Sequence, residues 1–187
     1  MLNPGLVIPL LWLIWMISWV AAARWTNQTT GRVSFKEQLP YHLLMLAGII
    51  CFIVPMDGIP RFWHVHLIGA WICTALEAAG FAFTWWARIH LGKLWSGTVT
   101  RKEGHHIVDT GPYGIVRHPI YTGLLLAVLA TAAAKATVFD IGAVVLFTLS
   151  FWVKIRLEER WLSQELGAES YAAYRKRVPM LIPFGPK

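Results

Sequence analysis

The sequence predicts an all-α, polytopic membrane protein with about five transmembrane helices, and three observations predict it. Hydrophobic residues make up 56% of the chain and charged residues 14%, against about 25% charged in a typical soluble domain. Too little charge is left to cover a water-facing surface, and the mean hydropathy of +0.51 agrees. Apolar runs of spanning length recur, and the 11 tryptophans suit repeated crossings of the bilayer boundary, where Trp concentrates. These features exclude a disordered chain, a coiled coil, a disulfide-stapled module and an ordinary soluble enzyme. Cys51 and Cys73 lie within apolar runs and read as small buried hydrophobes. The length of 187 residues predicts one domain, with residues 1–97 supplying spans and a linker and residues 98–187 the chemistry.

A spanning helix needs roughly 20 mostly apolar residues. Pro4–Ala23 is the first such run, and no Lys or Arg precedes Arg24, unlike the positively charged start of a cleaved signal peptide. Tyr41–Met56 is a shorter second run and His64–Ala87 a long third. Pro119–Ala134 and Val138–Val153 follow, joined at Lys135–Thr137 as a helical hairpin. Five spans leave only Arg61 and Lys135, of 17 Lys and Arg residues, on the side of the N-terminus. The basic excess belongs inside, so the N-terminus is expected outside and the C-terminus in the cytoplasm. The same excess accounts for the net charge of +7 through contact with anionic lipid, and no nucleic-acid partner is needed.

Two long cytoplasmic segments, Arg88–His118 and Lys154–Lys187, bracket the hairpin and hold most of the polar residues. In the first, Gly111-Pro112 and Gly114 impose turns, and Pro119 suits the opening turn of a helix. Arg117 and His118 then stand beside free backbone N–H groups, a seat for a carboxylate or ribose hydroxyls; a headgroup anchor is the other reading. In the second, Arg156, Glu159 and Arg160 share one helical face. They form either a solvated helix end or an Arg that grips a carboxylate beside a Glu that faces a cation. Tyr171 and Tyr174 lie on a short helix with the basic end Arg175-Lys176-Arg177, suited to the interface plane or to a lid. The seven histidines are scattered without HExxH or Cys/His spacing, so no metal site is expected. Glu77 is the lone acid inside a span, which marks it as a functional candidate or as a neutral, helix-bonded group.

The run Gly111-Pro112-Tyr113 followed by Arg117-His118-Pro119-Ile120-Tyr121-Thr122-Gly123 resembles the RHPxYxG motif of the isoprenylcysteine carboxyl methyltransferase family. Glu158-Glu159, Tyr171, Tyr174 and Arg175-Lys176-Arg177-Val178-Pro179 are similar to that family's C-terminal signature. The likeness covers about Thr98 to Phe184, in the short form of prokaryotic members, which implies an inner-membrane location. It implies S-adenosylmethionine as cofactor, held by His105, His106, Ile107, Val108, Tyr113, His118, Pro119, Ile120, Tyr121 and Glu159. It also implies an Arg that holds the acceptor carboxylate. Arg156, one residue from a gap-free match, is the candidate, so Arg156 and Glu159 are the expected catalytic residues.

The acceptor implied is the carboxylate of an S-prenylated cysteine, or another lipid-like molecule in the membrane, with no obligate protein partner. Methyl transfer from a sulfonium demands above all positioning, which can supply about 7–11 kcal/mol of a barrier. A carboxylate is already ionised and needs no general base, whereas an amine acceptor would recast Glu159 as its base. Three alternatives stand beside this reading: a phospholipid amine methyltransferase, an NADPH-dependent sterol-type reductase, and a non-enzymatic membrane protein.

Overall fold

A computed structural model describes residues 3–54 and 58–186 of the chain. Helix α1 (Pro4–Ala22) starts where the Asn3 side chain accepts the Gly5 N–H at 2.9 Å, with Pro4 in the first turn, where a missing N–H costs nothing. It is apolar all round and buries only Pro4 and Ile8. Two indoles fasten it to the bundle: Trp12 Nε1 donates to Thr131 Oγ1 at 3.0 Å, and Trp15 Nε1 to Thr84 Oγ1 at 2.9 Å. Helix α2 (Phe35–Ile53) begins at Ser34, whose side chain accepts the Glu37 N–H. Helix α3 (Leu67–Leu91) is stopped by Gly92 and followed by a 3-10 turn, Gly92–Leu94. A single turn, α4 (Pro112–Ile115), precedes α5 (Pro119–Lys135), α6 (Val138–Leu166) and α7 (Ala168–Arg177).

Helix α3 packs on α5 and α2 on α6. A Cβ on Gly80 would lie 2.5 Å from Gly123 O, and one on Gly123 the same distance from Gly80 O. The α3 and α5 backbones therefore touch, as helices packed through small residues do. The α5–α6 hairpin turns through Ala136, held left-handed at φ 61°, and Thr137 and Asp140 form a capping box at the start of α6. Lys135 Nζ reaches Asp140 Oδ1 at 2.7 Å and donates to Phe52 O at 2.8 Å.

Among the described residues, three helices are long and apolar enough to cross a membrane: α1, α3 with its 3-10 turn, and α6, while α5 is apolar but shorter. The expectation of about five spans is thus met in part. The Tyr41–Met56 run falls in α2, whose first turns carry Lys36, Glu37 and His42, and its end lies outside the described residues. Helix α6 has 29 residues, about 44 Å at 1.5 Å per residue. A hydrocarbon core is about 30 Å thick, so about nine residues of α6 exceed it, and the charged end after Leu157 is the part suited to project.

The all-helical expectation needs one correction. Strands β1 (Thr29–Arg32) and β2 (Thr100–Lys102) form a two-stranded antiparallel ribbon with a register shift between Thr29 and Gly31. Segments of four and three residues are too short to carry a period-2 signal. They pair because α1 and α3 deliver the two loops to the same end of the bundle. Glu77 is fully buried, and among the described residues neither carboxyl oxygen has a partner. The bond to its own helix that a neutral Glu77 was expected to make does not form.

Candidate active site

Four segments converge at one end of the bundle: the loop after β2, the start of α5, the projecting end of α6, and α7. The loop crosses the last turn of α3 at Gly111, where a Cβ would lie 2.7 Å from the His90 ring. His90 Nε2 and Thr110 Oγ1 are hydrogen-bonded at 2.9 Å. Gly167, at φ 97°, lets the chain double back from α6 into α7. Tyr171, Tyr174 and Val178 then pack with Ile107 and Leu162, and the Tyr174 hydroxyl donates to Tyr113 O at 2.8 Å. Helix α7 therefore covers the loop, in keeping with the lid reading. Burial raises the Tyr171 and Tyr174 hydroxyls above the ordinary tyrosine range, so both remain neutral donors. Beyond α7 the chain is stitched to the start of α5, with Arg117 N donating to Pro179 O at 2.8 Å and His118 N to Met180 O at 3.1 Å.

These segments enclose a cavity of about 220 Å³. Its wall includes His105, His106, Ile107, Val108, Tyr113, His118, Pro119, Ile120 and Tyr121, which places the loop and α5 candidates together. On its apolar side stand Met45 of α2, Leu124 of α5 and Phe151 of α6. Thr100 Oγ1 and Trp161 Nε1, both buried and without a hydrogen-bond partner among the described residues, belong to residues of the same wall. Burial holds the His105 imidazole below the usual histidine range; His106, Arg101 and Lys102 act in the same direction and Glu158 against it. Neutral His105 accepts the Lys102 N–H through Nδ1 at 3.3 Å.

Glu158 and Glu159 of α6 divide the work. Glu158 lines the cavity, and one of its oxygens accepts the Tyr121 hydroxyl at 2.9 Å. Glu159 sits behind the wall, where Oε1 accepts from Arg117 Nε at 2.8 Å and faces His118 Nε2 at 3.1 Å. A carboxylate only accepts, so His118 carries its proton on Nε2. Arg117 also donates to Arg175 O and Val178 O. It is therefore committed to holding the C-terminal segment, and it is no free anion seat at the start of α5.

Arg156 is not brought to the cavity. It is exposed, its guanidinium lies over the Trp152 ring at 4.5 Å, and it lines a separate groove with Glu159, Arg160 and Arg175. The cation that reaches the cavity wall from α6 is Lys154, which donates to Gly97 O at 2.7 Å and lies over the Tyr41 and Tyr121 rings. Lys154 was not among the expected site residues, although it lies one helical turn before Glu158 and so on the same face. That spacing was the available signal. Trp161, one turn beyond Leu157, was missed because an indole at a helix end ordinarily marks the interface.

Comparison with known proteins identifies relatives in sequence. Residues 71–164 match the model of the isoprenylcysteine carboxyl methyltransferase family. Protein-S-isoprenylcysteine O-methyltransferase B of Arabidopsis thaliana is 30% identical over 156 residues, covering 77% of this chain and 74% of the plant protein. Cobalt-zinc-cadmium resistance protein CzcN of Cupriavidus metallidurans is 28% identical over 124 residues, 65% of this chain and 56% of that protein. Methanethiol S-methyltransferase 2 of Bradyrhizobium diazoefficiens is 45% identical over 75 residues, 38% of this chain and 26% of that protein. With the matched region spanning α3 to α6 and the plant relative aligned over most of both chains, this protein belongs to the isoprenylcysteine carboxyl methyltransferase family.

Proposed function

We propose that this protein transfers a methyl group from S-adenosylmethionine to a lipid-like acceptor in the membrane, the acceptor group being the carboxylate of an S-isoprenylcysteine. The observation that carries the reading is a single cavity whose wall passes from loop imidazoles and tyrosines to the apolar side chains of Met45, Leu124 and Phe151. Such a wall suits one polar and one apolar ligand meeting end to end. The topology that goes with it has five spans, the N-terminus outside and the cavity on the cytoplasmic side.

The residues present fit the cofactor. Thr100 Oγ1 and Trp161 Nε1 are orphaned at the wall, and buried polar groups of native proteins ordinarily have partners; a ligand rich in acceptor atoms would provide them. When bound, S-adenosylmethionine supplies an electrophilic methyl group on a cationic sulfur. Glu158 sets a negative charge against that cation, fixed in direction by Tyr121. His105, His106, Ile107, Val108, Tyr113, His118, Pro119, Ile120 and Tyr121, which line the cavity, would hold the cofactor. Glu159 acts behind them, holding Arg117 and His118 in place. The acceptor-orienting role expected of Arg156 falls in this proposal to Lys154, whose charge reaches the wall. Packing of α7 over the loop would limit water at the site, and stripping part of its hydration shell activates an anionic nucleophile.

A thiol acceptor is the second reading, favoured by the match to the Bradyrhizobium methanethiol enzyme. The same Lys154 charge would stabilise a thiolate. The first test is calorimetric titration of detergent-purified protein with S-adenosylhomocysteine, with NADPH as the control. Saturable binding of the former alone supports methyl transfer, NADPH binding alone supports a reductase, and binding of neither by folded protein favours a non-enzymatic role. Radiolabelled methyl transfer to an S-farnesylcysteine, methanethiol and phosphatidylethanolamine then separates the acceptors.

A further inference from the structure

The exposed stripe of α6 changes character along its length. Ile141, Val145, Leu149 and Trp152 are exposed at helical spacing, and Arg156 and Arg160 continue the same stripe. An apolar stripe that reaches a Trp and then two arginines marks the headgroup level of a bilayer. Snorkelling alone would leave those arginines spread and independent. Here Arg175 of α7 joins them across a groove also lined by Ser163 and Gln164. Among the described residues neither Arg156 nor Arg160 has a carboxylate within salt-bridge distance. The groove's one acid, Glu159, is already paired with Arg117 at 2.8 Å and meets Arg175 Nε only at 3.5 Å. Like charges one turn apart repel, so Arg156 and Arg160, beside an Arg175 held only by a glutamate already paired with Arg117, are stabilised by an anion.

We propose that this groove between α6 and α7 binds the phosphate headgroup of an anionic phospholipid whose chains lie along the Leu149–Trp152 face of α6. Guanidinium groups suit the phosphate because their planar donors engage its oxygens in pairs. Ser163 and Gln164 offer further donors to a headgroup hydroxyl. The site lies outside the cavity and does not depend on the identity of the methyl acceptor.

The test uses the full chain in nanodiscs of phosphatidylcholine containing a minority of phosphatidylglycerol. The fraction of spin-labelled phosphatidylglycerol held motionally restricted is compared with that of spin-labelled phosphatidylcholine. The expected result is a preference for phosphatidylglycerol that falls about fivefold or more in R156Q/R160Q, because the paired guanidinium donors to the phosphate are lost. The control R24Q/K36Q removes two exposed basic residues elsewhere and is expected to keep the preference. Equal loss in both variants would assign the effect to diffuse surface potential and overturn the site, as would absence of any preference in the parent protein. Displacement of the lipid by inorganic phosphate, at ionic strength matched with chloride, would overturn a lipid as the occupant. Helicity by circular dichroism confirms that each variant is folded.

Discussion

Arg117 Nε donates to Glu159 Oε1 at 2.8 Å across a gap that water does not reach, with the two side chains 2% and 4% exposed. The pair joins the start of α5 to the projecting end of α6. Through the Arg117 bonds to Arg175 O and Val178 O, it also holds the segment after α7. Removing one partner leaves a buried charge unpaired, which typically costs about 3–5 kcal/mol. Glu159→Ala is therefore expected to lower thermal stability in detergent as well as weaken binding. A fluorescence melt of Glu159→Ala matching the parent would show that Arg117 finds another partner.

Glu158→Gln acts at the cavity instead. Its side chain is about a quarter exposed, so the fold should survive. A hydrogen bond or contact to a charged group contributes about 1.5–3 kcal/mol, so S-adenosylmethionine affinity is expected to fall tenfold or more by calorimetry, with a smaller loss for S-adenosylhomocysteine, which lacks the sulfonium charge. Tyr121→Phe, which removes the hydroxyl bonded to Glu158 at 2.9 Å, should give a smaller loss in the same direction. Unchanged affinity in both variants would remove Glu158 from cofactor binding.

Lys154→Gln separates the acceptor from the cofactor. Binding of S-adenosylhomocysteine should persist, while methyl transfer to an anionic acceptor should fall. Arg156→Gln, on the far face over Trp152, should leave turnover near that of the parent. The reverse pattern would return the acceptor role to Arg156.

The α3–α5 crossing has no room for a methyl group. Gly80→Ala and Gly123→Ala each place a Cβ 2.5 Å from a backbone oxygen of the partner helix. Overpacking of this kind typically costs about 1–3 kcal/mol or more. Both variants should melt earlier than the parent, and an unshifted midpoint would mean that the helices separate without penalty.

His105 gives stability a pH dependence of known sign. Burial and the neighbouring cations favour its neutral form in the folded protein, so the unfolded chain binds the proton more readily. The contribution is complete above the ordinary histidine value of 6.5 and is lost as pH falls through the depressed folded value. His105→Gln should therefore flatten the acid side of a plot of melting midpoint against pH. An unaltered slope would assign that sensitivity to other groups.

Much of this protein is determined by local sequence. Apolar runs and their end signals place the helices: Pro4 and Pro119 open α1 and α5, Gly92 stops α3, and Thr137 with Asp140 starts α6. The density of glycine, proline, histidine and tyrosine between residues 104 and 123 marked the loop that lines the cavity, because turn chemistry and polar side chains are legible without a partner. The β1–β2 ribbon was not legible, since its hydrogen bonds arise only when two distant loops meet. Facing was not legible either. Successive residues on a helix point about 100° apart, so the periodicity of α6 says that Lys154 and Glu158 share a face and that Arg156 and Glu159 share another. Which face meets the cavity depends on how α6 packs against α2 and α5 and on where α7 folds back. Tertiary packing alone therefore put Glu158 at the wall, Glu159 in the ion pair behind it, and Arg156 outside.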